Sequence, residues 1–120
     1  MSSIVKMEFV EILVRDWDCA VKWYVEVLGM VVAEKLAEGM WCKLDFVGGG
    51  SSIALWQPED ESFEFGGQFI PIFVTEDIYL AREFLEKRGV KFTEDIRSVG
   101  RSRLITTFLD CEGNVLQLIQ

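Results

Sequence analysis

The sequence predicts an α+β domain made of two paired β-α-β-β-β modules, and three observations carry the prediction. The first is an internal repeat: displaced by 60 positions, Phe9, Ile12, Val14, Glu26, Gly29 and Glu34 fall on Phe69, Ile72, Val74, Glu86, Gly89 and Glu94. The second is a change of hydrophobic period within each half, from the alternation of a strand to the 3.6-residue spacing of a helix. The third is a glycine at the end of each helical run, Gly29 and Gly89, where a left-handed residue stops a helix. The 120 residues are therefore read as one domain, with module 1 at about 1–60 and module 2 at about 66–120. Function is expected between the halves.

The elements follow in order. From Ile4 to Val14, Val10, Ile12 and Val14 alternate with Phe9, Glu11 and Leu13, which gives a strand with two distinct faces. Asp16 is placed to cap a helix whose inward stripe is Trp17, Ala20, Val21, Tyr24 and Leu28, with Trp23 off the stripe. Strands are expected at 30–37, 40–47 and 53–57, with Gly48-Gly49-Gly50 as a turn and the acidic stretch from Pro58 to Gly67 as the linker. The second half repeats the order: a strand at 68–75, a helix at 76–88 with Ile78, Ala81, Phe84 and Leu85 inward, then strands at about 90–97, 101–109 and 114–120. Asp110, Gly113 and Asn114 supply the last turn.

Composition narrows the function. Half of the residues are apolar, enough for an ordered core, and no apolar run approaches the roughly 18 residues of a membrane span. Met1-Ser2-Ser3-Ile4-Val5-Lys6 lacks the features of a signal peptide, so a cytoplasmic protein is expected. A net charge of −8, from 20 acidic and 12 basic residues, argues against a grip on nucleic acid or an anionic membrane. Cys19, Cys42 and Cys111 are an odd count without metal-type spacing and read as reduced, buried small hydrophobes. There is no histidine, the usual neutral-pH base and the commonest ligand of catalytic transition metals.

Alternation also sorts the strand faces. With the helices covering Val10/Ile12/Val14 and Ile70/Ile72/Val74, the opposite faces should carry Phe9, Glu11, Leu13, Trp41, Lys43, Asp45, Ala54 and Trp56 from module 1. Module 2 should add Phe69, Phe73, Arg101, Arg103 and Gln117. Aromatics mixed with both signs of charge are the composition of a small-molecule cleft. Phe9, Glu11, Trp41, Lys43, Trp56, Phe73, Arg103 and Gln117 are the candidate ligand-binding residues. Glu11, beside Phe9 and Leu13, is the candidate catalytic residue, a general base if partly desolvated. Pairing with Lys43 or Arg103 is its purely structural alternative. Trp41 and Trp56 are the candidates for stacking a flat ligand, and Arg101 with Arg103 for clamping an anion.

Val14-Arg15-Asp16 with Trp23-Tyr24 and Leu28-Gly29-Met30, and then Asp110-Cys111-Glu112-Gly113-Asn114-Val115-Leu116-Gln117-Leu118, resemble the motifs of the glyoxalase, bleomycin-resistance and extradiol-dioxygenase group, the vicinal oxygen chelate superfamily. The resemblance spans essentially the whole chain and implies two modules curling into a cup, commonly as a homodimer, with a divalent metal held by His and Glu in the enzymes. Carried over, the metal ligands fall near Phe9, Ala54, Phe69 or Ile70, and Gln117. That set is foreign to a transition ion, which prefers imidazole, thiolate or carboxylate. No metal and no cofactor are therefore expected. The resemblance then implies a metal-free binder of a small organic molecule, aromatic and cationic or zwitterionic, as in drug sequestration and resistance. The alternative it leaves is a lyase, isomerase or dioxygenase with a His-free site using Glu11.

Overall fold

The computed structural model describes residues 7–60, 62–65 and 69–120, so the expected strand starts at Ile4 and residue 68 lie outside the described residues. The chain divides into two compact units, Met1–Phe63 and Glu64–Gln120.

In unit 1, β1 (Val10–Leu13) leads into α1 (Trp17–Glu26), followed by β2 (Val31–Leu36), a short 3-10 turn at Ala37–Gly39, β3 (Trp41–Asp45) and β4 (Ile53–Trp56). The sheet order is β1-β4-β3-β2, with β1 parallel to β4 and the other pairs antiparallel. Asp16 caps α1 by accepting from the Cys19 N–H at 3.2 Å. Val14, Cys42, Leu44, Ile53 and Leu55 are buried, as are Trp17, Ala20 and Tyr24 of α1, and the Trp17 indole N–H reaches the Leu55 carbonyl at 3.2 Å. The helix thus covers the aliphatic face, as alternation requires. Strand β2 lies at the sheet edge and is exposed along its whole length.

Unit 2 repeats the plan: β5 (Ile72–Val74), α2 (Ile78–Lys87), β6 (Arg97–Val99), β7 (Arg103–Leu109) and β8 (Val115–Ile119), in the sheet order β5-β8-β7-β6. Two repeated contacts fix the equivalence of the units. The Val14 N–H donates to the Trp56 carbonyl, and the Thr75 N–H to that of Ile119. The first helical N–H of each unit, on Trp17 and Ile78, donates to a glutamine side chain just past the sheet's second strand in order, Gln57 Oε1 at 2.9 Å and Gln120 Oε1 at 2.7 Å. Asp77 caps α2 as Asp16 caps α1. From β1 into the helix the offset is therefore 61 residues, from Asp16 to Asp77, while the glycines after the helices stay 60 apart. The residue is lost at the end of α2: the Met30 N–H reaches back six positions to the Tyr24 carbonyl, the Val90 N–H only five to Leu85.

This difference corrects several expectations, because a slip of one residue moves every side chain of a strand to the other face. Phe73 pairs with Leu118, which is buried with Thr106, Phe108 and Leu116, and its ring lies tilted 6.4 Å from that of Phe108. It sits on the helix side of the sheet, away from the face where the 60-residue repeat puts it. Ile72 and Val74, expected beneath α2, are 51% and 77% exposed. Phe84, expected inward beside Leu85, is 49% exposed while Leu85 is buried, and the Arg88 guanidinium lies 3.5 Å from the Phe84 ring centroid. Residues 90–97 do not form one strand. Phe92 makes a single bridge to Phe108, and pairing resumes only in β6. Arg101 falls in the β6–β7 turn between Gly100 and Ser102, both at φ 57°, rather than in a strand. Cys42 is buried as expected, but Cys19 and Cys111 are exposed.

Candidate functional site

On unit 1 the register gathers the predicted residues on the face away from α1. Glu11 and Lys43 flank Ala54 from either side, and Leu13 and Trp41 flank Trp56 in the next row. Phe9 lies beside Trp41, with ring centroids 5.6 Å apart and an interplanar angle of 58°. The Trp41 indole N–H donates to Glu11 Oε1 at 2.8 Å. Trp56 meets Phe63 edge-on at 5.4 Å. Trp41 and Trp56 are each half-buried, so both present ring surface to solvent. The outcome is an aromatic shelf with the Glu11 carboxylate beside it.

The polar residues pair differently from expectation. Glu11 is exposed rather than desolvated, and within unit 1 it bonds Trp41 instead of Lys43. Lys43 pairs with Glu8 at 3.4 Å. Asp45 accepts a short hydrogen bond from the Ser52 hydroxyl. Phe63 and Glu8 were not legible as partners of this face: Phe63 belongs to the acidic stretch that reads as linker, and Glu8 shares the parity of Val10, which alternation assigns to the opposite face.

On unit 2 the face away from α2 carries Ile72, Arg97, Arg103, Ile105, Thr107 and Gln117, as the pairs Ile72 with Gln117, Thr107 with Gln117, and Arg97 with Ile105 show. Arg103 is exposed, and its Nε donates to the Gln120 carbonyl at 3.4 Å. Gln117 Nε2 donates to Thr107 Oγ1 at 3.1 Å, and the Thr107 hydroxyl donates a short bond to Glu94 Oε2. Arg97 Nε reaches Glu94 Oε1 at 2.7 Å. The bonds from Thr107 first and Arg97 second hold the Glu94 carboxyl below the usual carboxylate range. Glu94 and Thr107 are absent from the sequence-level candidates because nothing in local periodicity joins residues 13 apart across a broken strand.

The positions to which the family resemblance assigns metal ligands do not form a donor set. Phe9 and Ala54 of unit 1 have no side-chain lone pairs. In unit 2 the 61-residue offset makes Ile70 the counterpart of Phe9, and Gln117 alone offers an amide, its nitrogen already donating to Thr107. No group of three or more Cys, Asp or Glu able to hold a metal ion occurs among the described residues. Two of the three thiols are disfavoured as nucleophiles: the neighbouring Asp16 carboxylate pushes the exposed Cys19 thiol up, and burial does the same to Cys42.

The architecture has many relatives. The chain is similar to a member of the glyoxalase/bleomycin resistance protein/dioxygenase superfamily from Sphaerobacter thermophilus, at 28% identity and a TM-score of 0.80, covering 97% of each chain. It is similar in fold to TnmS3, an antibiotic binding protein from Streptomyces sp. CB03234, at 21% identity and a TM-score of 0.78 over 98% of this chain and 97% of that one. An integron cassette protein from the mobile metagenome of the Halifax Harbour sewage outfall matches at 21% identity and 0.79, over 96% and 98%. Among curated proteins none matches. The family model for the Glyoxalase/Bleomycin resistance protein/Dioxygenase superfamily matches residues 6–118, nearly the full length. With the motifs, the twin β-α-β-β-β units and this match in agreement, the chain belongs to the glyoxalase/bleomycin resistance protein/dioxygenase superfamily.

Proposed function

We propose that this protein binds a small organic molecule without a metal, as a drug-sequestering or carrier member of its superfamily. The observation that carries the reading is the face of unit 1, where Phe9, Trp41, Trp56 and Phe63 supply aromatic area and Glu11 an exposed carboxylate. A site without metal draws its affinity from such area plus a few placed polar groups. The ligand class is a flat aromatic carrying positive charge. TnmS3 shares the fold, and its antibiotic binding makes anthracycline and glycopeptide drugs the first panel to test.

Tryptophan emission reads binding directly. A ligand should quench it, and Trp56→Ala should weaken binding by about tenfold, since stacking contributes roughly 0.5–2 kcal/mol. Glu11 is exposed, so Glu11→Gln should cost a cationic ligand only about threefold and leave a neutral analogue unchanged. If both substitutions leave the affinity of a genuine ligand untouched, the face is not the site. Elemental analysis of a chelator-free preparation tests the metal-free part: about one transition ion per chain, surviving dialysis, overturns it.

Two further parts of the reading concern its setting. A homodimer is supported by exposed apolar side chains such as Phe69, Val74 and Leu80, and a monomeric mass by light scattering at micromolar concentration would sink it. A cytoplasmic location is supported by three free cysteines, and no helix among the described residues is long and apolar enough to cross a membrane. The enzymatic alternative through Glu11 gains nothing from the geometry, because that carboxylate is exposed and engaged by an indole N–H.

A further inference from the structure

Strand β5 is one margin of the unit 2 sheet, bonded on one side only. The Pro71 carbonyl accepts from the Gln117 N–H and the Thr75 N–H donates to the Ile119 carbonyl, each at 3.0 Å, so residues of that parity face β8. Ile72 and Val74 therefore turn their backbone N–H and C=O groups away from the sheet, and among the described residues no strand meets them. Pro71 does not blunt this edge, because the N–H it lacks would have faced β8. The side chains are as open as the backbone. Phe69, Ile72 and Val74 are exposed in the whole chain, and on the same face β8 adds Val115 beside them. Residues 69–75 and 113–120, which hold β5 and β8, contain no charged side chain.

Charge and symmetry together select what can cover such an edge. Two copies of a chain with net charge −8 repel, so they meet most readily where neither carries charge. Of the four sheet margins, β1 carries Glu11, β2 carries Glu34 and Lys35, and β6 carries Arg97, whereas β5 carries none. Antiparallel pairing about a two-fold axis joins residues of one parity, those whose backbone groups face outward. On β5 the axis falls at Phe73 and sets Ile72 of each copy opposite Val74 of the other, an aliphatic pair made twice. The same operation fails on β2, although that strand is exposed along its whole length. The Gln57 N–H reaches the Met40 carbonyl at 3.0 Å, so Trp41 and Lys43 bond β2 through Leu36 and Glu34, and Lys35 faces outward. A two-fold axis at Glu34 or at Lys35 then sets like charges against each other, and the register shift between Val32 and Glu34 breaks the edge further.

We propose that a second copy of this chain docks on the β5 margin of unit 2, each copy extending the other's sheet by antiparallel pairing of β5 about a two-fold axis at Phe73. The inference rests on the homodimer reading above and adds the surface through which the dimer forms. The outward N–H groups of Ile72 and Val74 gain acceptors, and their side chains leave water. Because one axis uses both open edges, assembly stops at two chains.

Sedimentation equilibrium and amide hydrogen exchange on the full chain test it. The unsubstituted protein should be a dimer at micromolar concentration, with no larger species. The Ile72 and Val74 amides should exchange slowly in that dimer, although among the described residues of one chain nothing accepts from them. Val74→Lys, at an exposed position of the single chain, should weaken the dimer by about tenfold or more, because the two-fold axis repeats the charge. Val74→Ala keeps the edge uncharged and should keep the dimer, as should Val32→Lys on β2. A dimer in which the Ile72 and Val74 amides exchange freely, or one unmoved by Val74→Lys, overturns the inference and leaves the homodimer reading intact. A monomer at every concentration overturns both. If Val74→Lys does not fold, exchange of the two amides in the unsubstituted dimer decides alone.

Discussion

The orientation of β5 is the point at which a one-residue offset is most open to measurement. Replacing Phe73 by Ala removes a ring that lies on the helix side of unit 2 beside the buried Phe108 and Leu118. A fully buried Phe→Ala costs about 3–5 kcal/mol; Phe73 is half-buried, so about 2–3 kcal/mol is expected. Val74 points the other way and is 77% exposed, so Val74→Ala removes little buried area and should cost about 0.5 kcal/mol or less. Ile72, about half exposed, falls between them at about 1 kcal/mol. Urea unfolding followed by circular dichroism gives these differences from the midpoints, provided the slope m is unchanged. For a chain of this length 2–3 kcal/mol corresponds to a Tm lower by roughly 8–12 °C. A 60-residue offset through β5 requires the opposite order, with Ile72 and Val74 costly and Phe73 nearly silent. If Val74→Ala destabilises as much as Phe73→Ala, the assignment of faces in unit 2 is wrong.

Other consequences can be checked with the same unfolding assay. Asp110 is buried and accepts from the N–H groups of Glu112 and Asn114 and from Asn114 Nδ2, each at 2.8 Å, so Asp110→Ala should cost about 3 kcal/mol; Asp110→Asn should cost nearer 1, because the Asn114 amide can turn over to meet it. A loss below about 0.5 kcal/mol for the alanine would remove the turn motif from the list of stabilising features. Gln57→Ala and Gln120→Ala should each cost about 1 kcal/mol by orphaning the first N–H of a helix, and equal losses would support the equivalence of the two units. Glu94 has a depressed folded pKa beside Thr107 and Arg97, with Arg82 on its backbone carbonyl, so the unfolded chain takes up its proton first as pH falls. Its contribution is complete above the ordinary glutamate range, declines below about pH 5 and is gone once pH drops through the folded value; the stability difference between wild type and Glu94→Gln should shrink over that interval, and a pH-independent difference would contradict it. Cys19 should react with iodoacetamide at pH 8 more slowly than a free peptide thiol, and Asp16→Asn should bring its rate closer to that of the peptide.

Much of unit 1 was legible because local signals there agree with one another. Asp16 is a capping residue at the head of an amphipathic run, and the alternation around Val14 and Leu44 leaves one way to bury aliphatic side chains. The same alternation puts Phe9, Glu11, Trp41, Lys43 and Trp56 on one face, where the register has them. What it could not supply was their partners. Whether Glu11 meets Lys43 or an indole depends on side-chain reach across strands 30 residues apart in sequence, and the outcome is Trp41. In unit 2 the strand signal is weak: β5 has three residues and β6 three, too few for alternation to declare its own phase.

The sequence by itself determined the α+β class, the duplicated strand-helix-strands order, both helices with the Asp16 cap and the terminal glycines, and the superfamily. Those properties live in local capping chemistry, hydrophobic period and short motifs, all readable without knowing what lies across the sheet. Within unit 2, tertiary structure alone decided which face of the sheet each β5 side chain takes. The glycines Gly29 and Gly89 align the halves at 60, but α2 closes one residue sooner than α1, so everything before it is offset by 61. Because a strand repeats every two residues, that single position exchanges Phe73 for Ile72 and Val74 and transfers an aromatic ring from the open face to the packed one. The chain from Glu94 through Thr107 to Gln117 has the same origin. Its members are brought together by strand pairing between residues distant in sequence, and the direction of its hydrogen bonds follows from a carboxylate that can only accept.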